Sequence, residues 1–152
     1  MADSLRKQIL ANLEETLKEV ESLRHVGFGL WMPEDKPRPT GGILPVRERT
    51  TLMESDGLYW QRFTVACRVI VDETHQHAGY ELEDVLADVE TAVLADPTRG
   101  GIADDTHLVE DPEVSTNWLY LDQTLPQAGA DILFEVKYQR QATDPSINVN
   151  DL

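Results

Sequence analysis

Two short runs hold side chains that could bind a metal ion. Asp72-Glu73-Thr74-His75-Gln76-His77 sets carboxylates beside two imidazoles, and Asp104, Asp105 and His107 offer the same chemistry over a shorter span. Imidazole nitrogens and carboxylate oxygens are the ligands that zinc and related divalent metals take. In the first run His75 and His77 stand two apart in a polar connection, where nothing fixes their geometry. In the second, Asp105 and His107 share a face if the segment is a strand, because side chains alternate there. Solvated turns use these residue types without a metal, so no cofactor is expected. Covalent catalysis finds less material still. The sequence has no Gly-x-Ser-x-Gly elbow, no Gly-x-x-x-x-Gly-Lys loop and no dinucleotide fingerprint, and Gly27-Phe28-Gly29 is too short to stand for one. The single cysteine, Cys67, lies among alternating apolar residues and reads as a small core side chain. Alone, it forms no internal disulfide.

Charge narrows the partners. The chain of 152 residues has 28 acidic and 13 basic residues, a formal charge of -15. The excess sits in the second half: residues 1–76 hold 12 acids and 10 bases, whereas residues 77–152 hold 16 acids and 3 bases, Arg99, Lys137 and Arg140. Binding to DNA or RNA requires the opposite sign to neutralise phosphates. No run approaches the roughly 20 apolar residues that span a bilayer, and the N-terminus lacks the apolar core of a signal peptide. A cytoplasmic product without a membrane partner is expected.

The elements that position these groups follow from periodicity. Leu5, Ile9, Leu13, Leu17 and Val20 recur at helical spacing behind Ser4, a suitable N-cap, and predict a helix from about Ser4 to Arg24. A loop punctuated by Gly29, Pro33, Pro37, Pro39 and Gly41-Gly42 carries Trp31, a candidate partner-contact residue. Ile43 to Val46 begins a strand in which Pro45 argues for a sheet edge or a strand start. Phe63, Val65, Cys67, Val69 and Val71 alternate with Arg62, Thr64, Ala66, Arg68 and Ile70, predicting a long strand over 58–72 and an extended hairpin with 46–49. Leu82, Val85, Leu86, Val89 and Val93 mark a second helix, about Tyr80–Ala95. Asp96 precedes a proline and so leaves helical space, and Gly100-Gly101 admits positive φ. Strands are expected near 102–109, 114–123 and 130–140. The whole predicts one α+β domain over 1–140, a mainly antiparallel sheet with two helices on one face, followed by a polar tail over 141–152.

The order of these parts over about residues 4–145 resembles the tail terminator (tail completion, or minor tail) proteins of tailed bacteriophages. The resemblance runs through the amphipathic helix, the Pro-rich loop, the strand entered at Pro45-Val46, and the long strand Leu58–Val71. It continues through Leu94-Ala95-Asp96-Pro97-Thr98-Arg99-Gly100-Gly101-Ile102 and the closing strand Ile132–Tyr138 to Thr143-Asp144-Pro145. The family's second helix commonly ends in an Asp-x-Thr-x-Gly-Gly turn, which Asp96, Thr98, Gly100 and Gly101 match around Pro97. Arg99 stands where a leucine is frequent.

The resemblance implies a non-enzymatic virion protein assembled in the host cytoplasm. It would form a six-subunit ring on the head-proximal end of the tail tube, stop tube polymerisation, and present a surface to the head completion or neck protein. DNA would pass through without specific binding, and an acidic lumen would keep phosphate from adhering. On that reading Asp88, Glu90, Asp104, Asp105, Glu110, Asp111 and Glu113 are candidates to face the channel. Trp31, Arg47, Arg49, Arg62 and Arg68 are candidates to face protein partners. A head–tail connector or other neck protein, a small metal-dependent enzyme using His75 and His77, and a monomeric acidic binding module are the alternatives.

Overall fold

Ser4 opens the first helix as its side chain accepts the Lys7 backbone N–H at 3.2 Å, and Leu5–Lys18 forms α1, burying Leu5, Ile9, Leu13 and Leu17. The computed structural model describes residues 3–28, 37–53, 57–72, 78–110, 112–121 and 127–148. α1 ends short of the expected Arg24. Past Lys18 the backbone turns in three-residue steps, with Val20 N–H donating to Leu17 O and Leu23 N–H to Val20 O. Val20 and Leu23 therefore stay buried although the helix has stopped. That turn delivers an unforeseen short strand, β1 (His25–Phe28), which pairs in parallel with the start of β2 (Thr40–Met53).

β2 and β3 (Leu58–Asp72) form the extended antiparallel hairpin. Pro45 lies inside β2 and not at its start. β1 covers only Thr40–Ile43, and the ladder to β3 shifts register between Pro45 and Arg47, so the missing proline N–H falls at a break already present. The second helix, α2 (Ala78–Leu94), buries Leu82, Val85, Leu86, Val89 and Val93 as the sequence requires.

β3 pairs along its whole length with a later strand, Gln127–Gln141. The opposite edge of that strand is built from pieces. Asp105–Leu108 (β4) pairs with residues 134–137 and Thr116–Leu121 (β5) with residues 127–132, which makes Gln127–Gln141 β6 in chain order. Between the two pieces, Val109 N–H donates to Leu133 O while Leu133 N–H donates to Ser115 O. The intervening loop is thus extruded from one position of the ladder. A last strand, β7 (Asp144–Asn148), pairs with the end of β6. Residues 144–148 therefore belong to the sheet, where a polar tail was expected. Asp144 accepts from the Ser146 backbone and hydroxyl, and Asn148 is buried, so polar side chains here serve turns and carbonyls.

Among the described residues the result is an α+β fold with a seven-stranded, mostly antiparallel sheet in the order β1-β2-β3-β6-β4, with β5 and β7 also pairing to β6. Both helices pack on one face against Phe63, Val65, Cys67, Val69 and Val71 of β3 and Ile132, Phe134, Val136 and Tyr138 of β6. The other face, bearing the alternate residues of the same strands, carries no helix among the described residues.

Candidate functional site

The turn after α2 is held by its own side chains. Asp96 accepts the Gly100 N–H at 2.7 Å and the Thr98 hydroxyl at 3.2 Å. Arg99, Gly100 and Gly101 all have positive φ, at 50°, 70° and 90°. Arg99 is fully buried. Its guanidinium donates to the carbonyls of Val93 and Asp96, the bare end of α2. Burial pulls its pKa below the ordinary guanidinium value, yet a cation at a helix C-terminus opposes the dipole favourably. From β7, Asn148 donates to the carbonyls of Gly101 (3.1 Å) and Ile102 (3.2 Å), and Thr106 donates to Pro97 O at 2.8 Å. These contacts tie the turn to α2, β4 and β7 of the same chain. The motif Asp96, Pro97, Thr98, Gly100 and Gly101 fixes how α2 is joined to β4.

The helix-free face is organised in cross-strand rows. Arg49 on β2, Arg62 on β3, Lys137 on β6 and Asp105 on β4 stand directly opposite one another, and Arg47, Thr64, Glu135 and His107 form the adjacent row. Carboxylates thread between these cations. Glu113, at the end of the extruded loop, pairs with Arg47 and lies 3.5 Å from Arg49. Glu135 takes the Arg62 Nε at 2.9 Å. Lower on the same face Arg68 makes a two-pronged pair with Asp131, at 2.7 and 3.0 Å, which pushes the arginine pKa upward. The rows and the loop enclose an open polar hollow of about 310 Å³ lined by Arg47, Arg49, Arg62, His107 and Glu135. Beside it, Val46 and Val114 are exposed above Ala66 and Leu133.

His107 sits between carboxylates, its Nδ1 3.1 Å from Asp105 and its Nε2 3.2 Å from Glu135. Asp104 instead accepts from Gln139 at 3.0 Å. Among the described residues no group of three or more histidine, cysteine or acidic side chains is arranged to hold a metal ion. Glu73, His75 and His77 lie outside the described residues, as do Trp31 and Asp111. Cys67 is buried, and desolvation pushes its thiol pKa up to about 12, as a core residue requires.

The structure does not gather the expected channel-facing acids. Asp88 and Glu90 are on α2, on the helix side, and Asp88 accepts from Ser22 at 2.8 Å. Asp105 and Glu113 lie on the opposite face of the sheet with Glu110 in the adjoining loop. Glu113 in particular pairs with Arg47 and lies 3.5 Å from Arg49, so this acid and these arginines share one face of the subunit. The four arginines Arg47, Arg49, Arg62 and Arg68 do share one face. Their carboxylate partners Glu135 and Asp131 were not singled out in the sequence. The signal for them was present: both alternate out of phase with Ile132, Phe134 and Val136, the buried side of β6.

No helix of the described residues is long and apolar enough to cross a membrane. No family model matches the sequence, and no curated protein matches it.

Proposed function

We propose that this chain is a structural subunit of a bacteriophage tail, a tail terminator that closes the head-proximal end of the tail tube as a ring of six copies. The observation that carries this reading is the helix-free face of β2, β3 and β6. It is broad and carries a row of cations, Arg49, Arg62 and Lys137, flanked by the carboxylates Glu113, Glu135 and Asp131, with exposed Val46 and Val114 beside them. Mixed charge around a small apolar centre is what a protein partner can cover. The order of elements supports the reading, including the Asp96–Gly101 turn and the long strand over 58–72 on which the resemblance to tail terminators rests. The ring would touch the tail tube protein on one side and a head completion or neck protein on the other. DNA crossing it meets subunits of charge -15, which offer phosphate little to hold.

Disrupting the gene in the phage that encodes this chain tests the proposal. Loss of a terminator leaves tube growth unchecked, so overlong tubes without heads are the expected product, and complementation restores normal length. In intact particles, a density reconstruction is expected to place a ring of this chain at the tail–head junction. Normal tails in the disrupted phage, or a junction without the chain, would overturn the assignment.

A further inference from the structure

We infer that consecutive copies of this chain meet head to tail, the acidic outer side of α2 from one copy lying across the row Arg49, Arg62 and Lys137 of the next. The inference rests on the ring reading above and assigns its contact surfaces. Arg49 faces Arg62, and Arg62 faces Lys137, in direct cross-strand register. Like charges in that relation destabilise a sheet. Glu113 and Glu135 offset part of the repulsion, but the fold itself does not call for three adjacent cations. Strands spaced about 4.8 Å apart make the row roughly 10 Å long.

α2 has the opposite sign and a matching length. It contains five acids and no lysine or arginine, and Glu83, Asp84 and Asp88 are exposed. From Tyr80 to Asp88 the helix rises about 12 Å. Both surfaces also carry apolar anchors. Tyr80 is 77% exposed, and Trp118 is exposed while donating to Glu83 at 3.1 Å. On the sheet face, Val114 is 63% exposed next to Val46. α2 lies on the helix-covered side of the sheet and the cationic row on the bare side, so the two patches point away from each other. Contact between them is heterologous, and repeating it closes a ring when the rotation allows. Nucleic acid is the poorer occupant of the row, because Glu113 and Glu135 stand 3.5 and 2.9 Å from Arg49 and Arg62 and the chain is acidic as a whole.

Charge exchange between the two faces tests the inference. One variant carries Arg49→Glu and Arg62→Glu, the other Asp84→Lys and Asp88→Lys, with Arg49→Glu alone as a substitute should the first pair fail to fold. Sedimentation is measured in about 0.1 M salt, where screening over about 10 Å leaves contact-scale charges active while damping the repulsion between whole subunits. The wild type is expected to assemble, each variant alone to sediment as monomer, and an equimolar mixture to assemble again through alternating copies. Raising the salt to about 1 M, where the screening length is about 3 Å, is expected to weaken wild-type assembly. A wild type that assembles while both variants do so equally well overturns the assignment of faces and leaves the ring intact. A mixture that stays monomeric while the wild type assembles overturns it as well. A wild type that stays monomeric alone and also fails to assemble on added tail tubes overturns both the contact and the ring it rests on. Binding of a short DNA duplex that Arg49→Glu abolishes would give the row to nucleic acid and overturn the inference.

Discussion

Arg99 is the residue whose environment departs furthest from what its type suggests. A fully buried guanidinium survives because the end of α2 supplies carbonyls that otherwise lack donors. Arg99→Ala removes those donors and leaves a cavity. An unpaired buried polar group costs about 1–3 kcal/mol, so a stability loss of about 3 kcal/mol is expected in denaturant unfolding. Arg99→Leu restores volume without donors and is expected to fall between alanine and wild type. Gly101, at φ 90°, has nothing within 4 Å of where a Cβ would stand. Gly101→Val should therefore destabilise through backbone strain, by about 1–2 kcal/mol, and should do so in the isolated subunit. A variant that melts unchanged but fails to cap tails would make the turn an interface. Cys67 gives a pH test. Its folded pKa of about 12 exceeds the ordinary value of 9.0, so between these limits the folded state binds more protons than the unfolded one. Its stabilisation is complete below pH 9 and declines as pH rises towards the folded value, by up to about 1.4 kcal/mol per unit. Melting temperatures measured from pH 7 to 10.5 should fall more steeply for the wild type than for Cys67→Ala.

At the scale of elements, the loop between β4 and β5 is tied to the sheet by one carboxylate shared between two arginines. Glu113→Ala frees that loop and leaves Arg49 facing Arg62, with Arg47 in the adjacent row, under less compensation. Exposed pairs contribute about 0–1 kcal/mol, so the expected loss of stability is below about 1 kcal/mol. Amide exchange at position 113, whose N–H donates to Glu110 O within the loop in the wild type, should nonetheless quicken. Unchanged exchange there would show that the loop holds without the arginines. The long periodic elements were legible in the sequence. α1, α2, β3 and β6 each repeat apolar residues often enough to declare their period and their buried face, and Cys67 was placed correctly by the same alternation. β1 and β7 were not legible, because four or five residues with intermediate burial leave no period to read. The arginine face was visible as residues but not as pairs. Which carboxylate meets which arginine depends on the register of β3 against β6, and on a loop folding back across the sheet.

For the whole molecule, the dominant quantity is a charge of -15. The arginines of the helix-free face are largely paired within the chain, while α2 displays acids without a cation on its own helix. An isolated subunit is thus stressed by self-repulsion that its ion pairs do not cancel. Raising salt from about 0.01 M to 0.15 M shortens the screening length from about 30 Å to about 8 Å. That range damps repulsion among distant acids but leaves the contact pair of Arg68 with Asp131, 2.7 Å apart and partly buried, mostly intact. The melting temperature should therefore rise with salt, and about 1 kcal/mol of relieved repulsion corresponds to roughly 2–4 °C in a chain of this size. Asp84→Asn with Asp88→Asn should begin at a higher melting temperature in low salt and gain less on adding it. A melting temperature that falls with salt would mean that surface ion pairs outweigh the net charge. Attraction within contact pairs such as Arg62 with Glu135 and Arg68 with Asp131 would then exceed the repulsion among the acids left in excess by the net charge of -15.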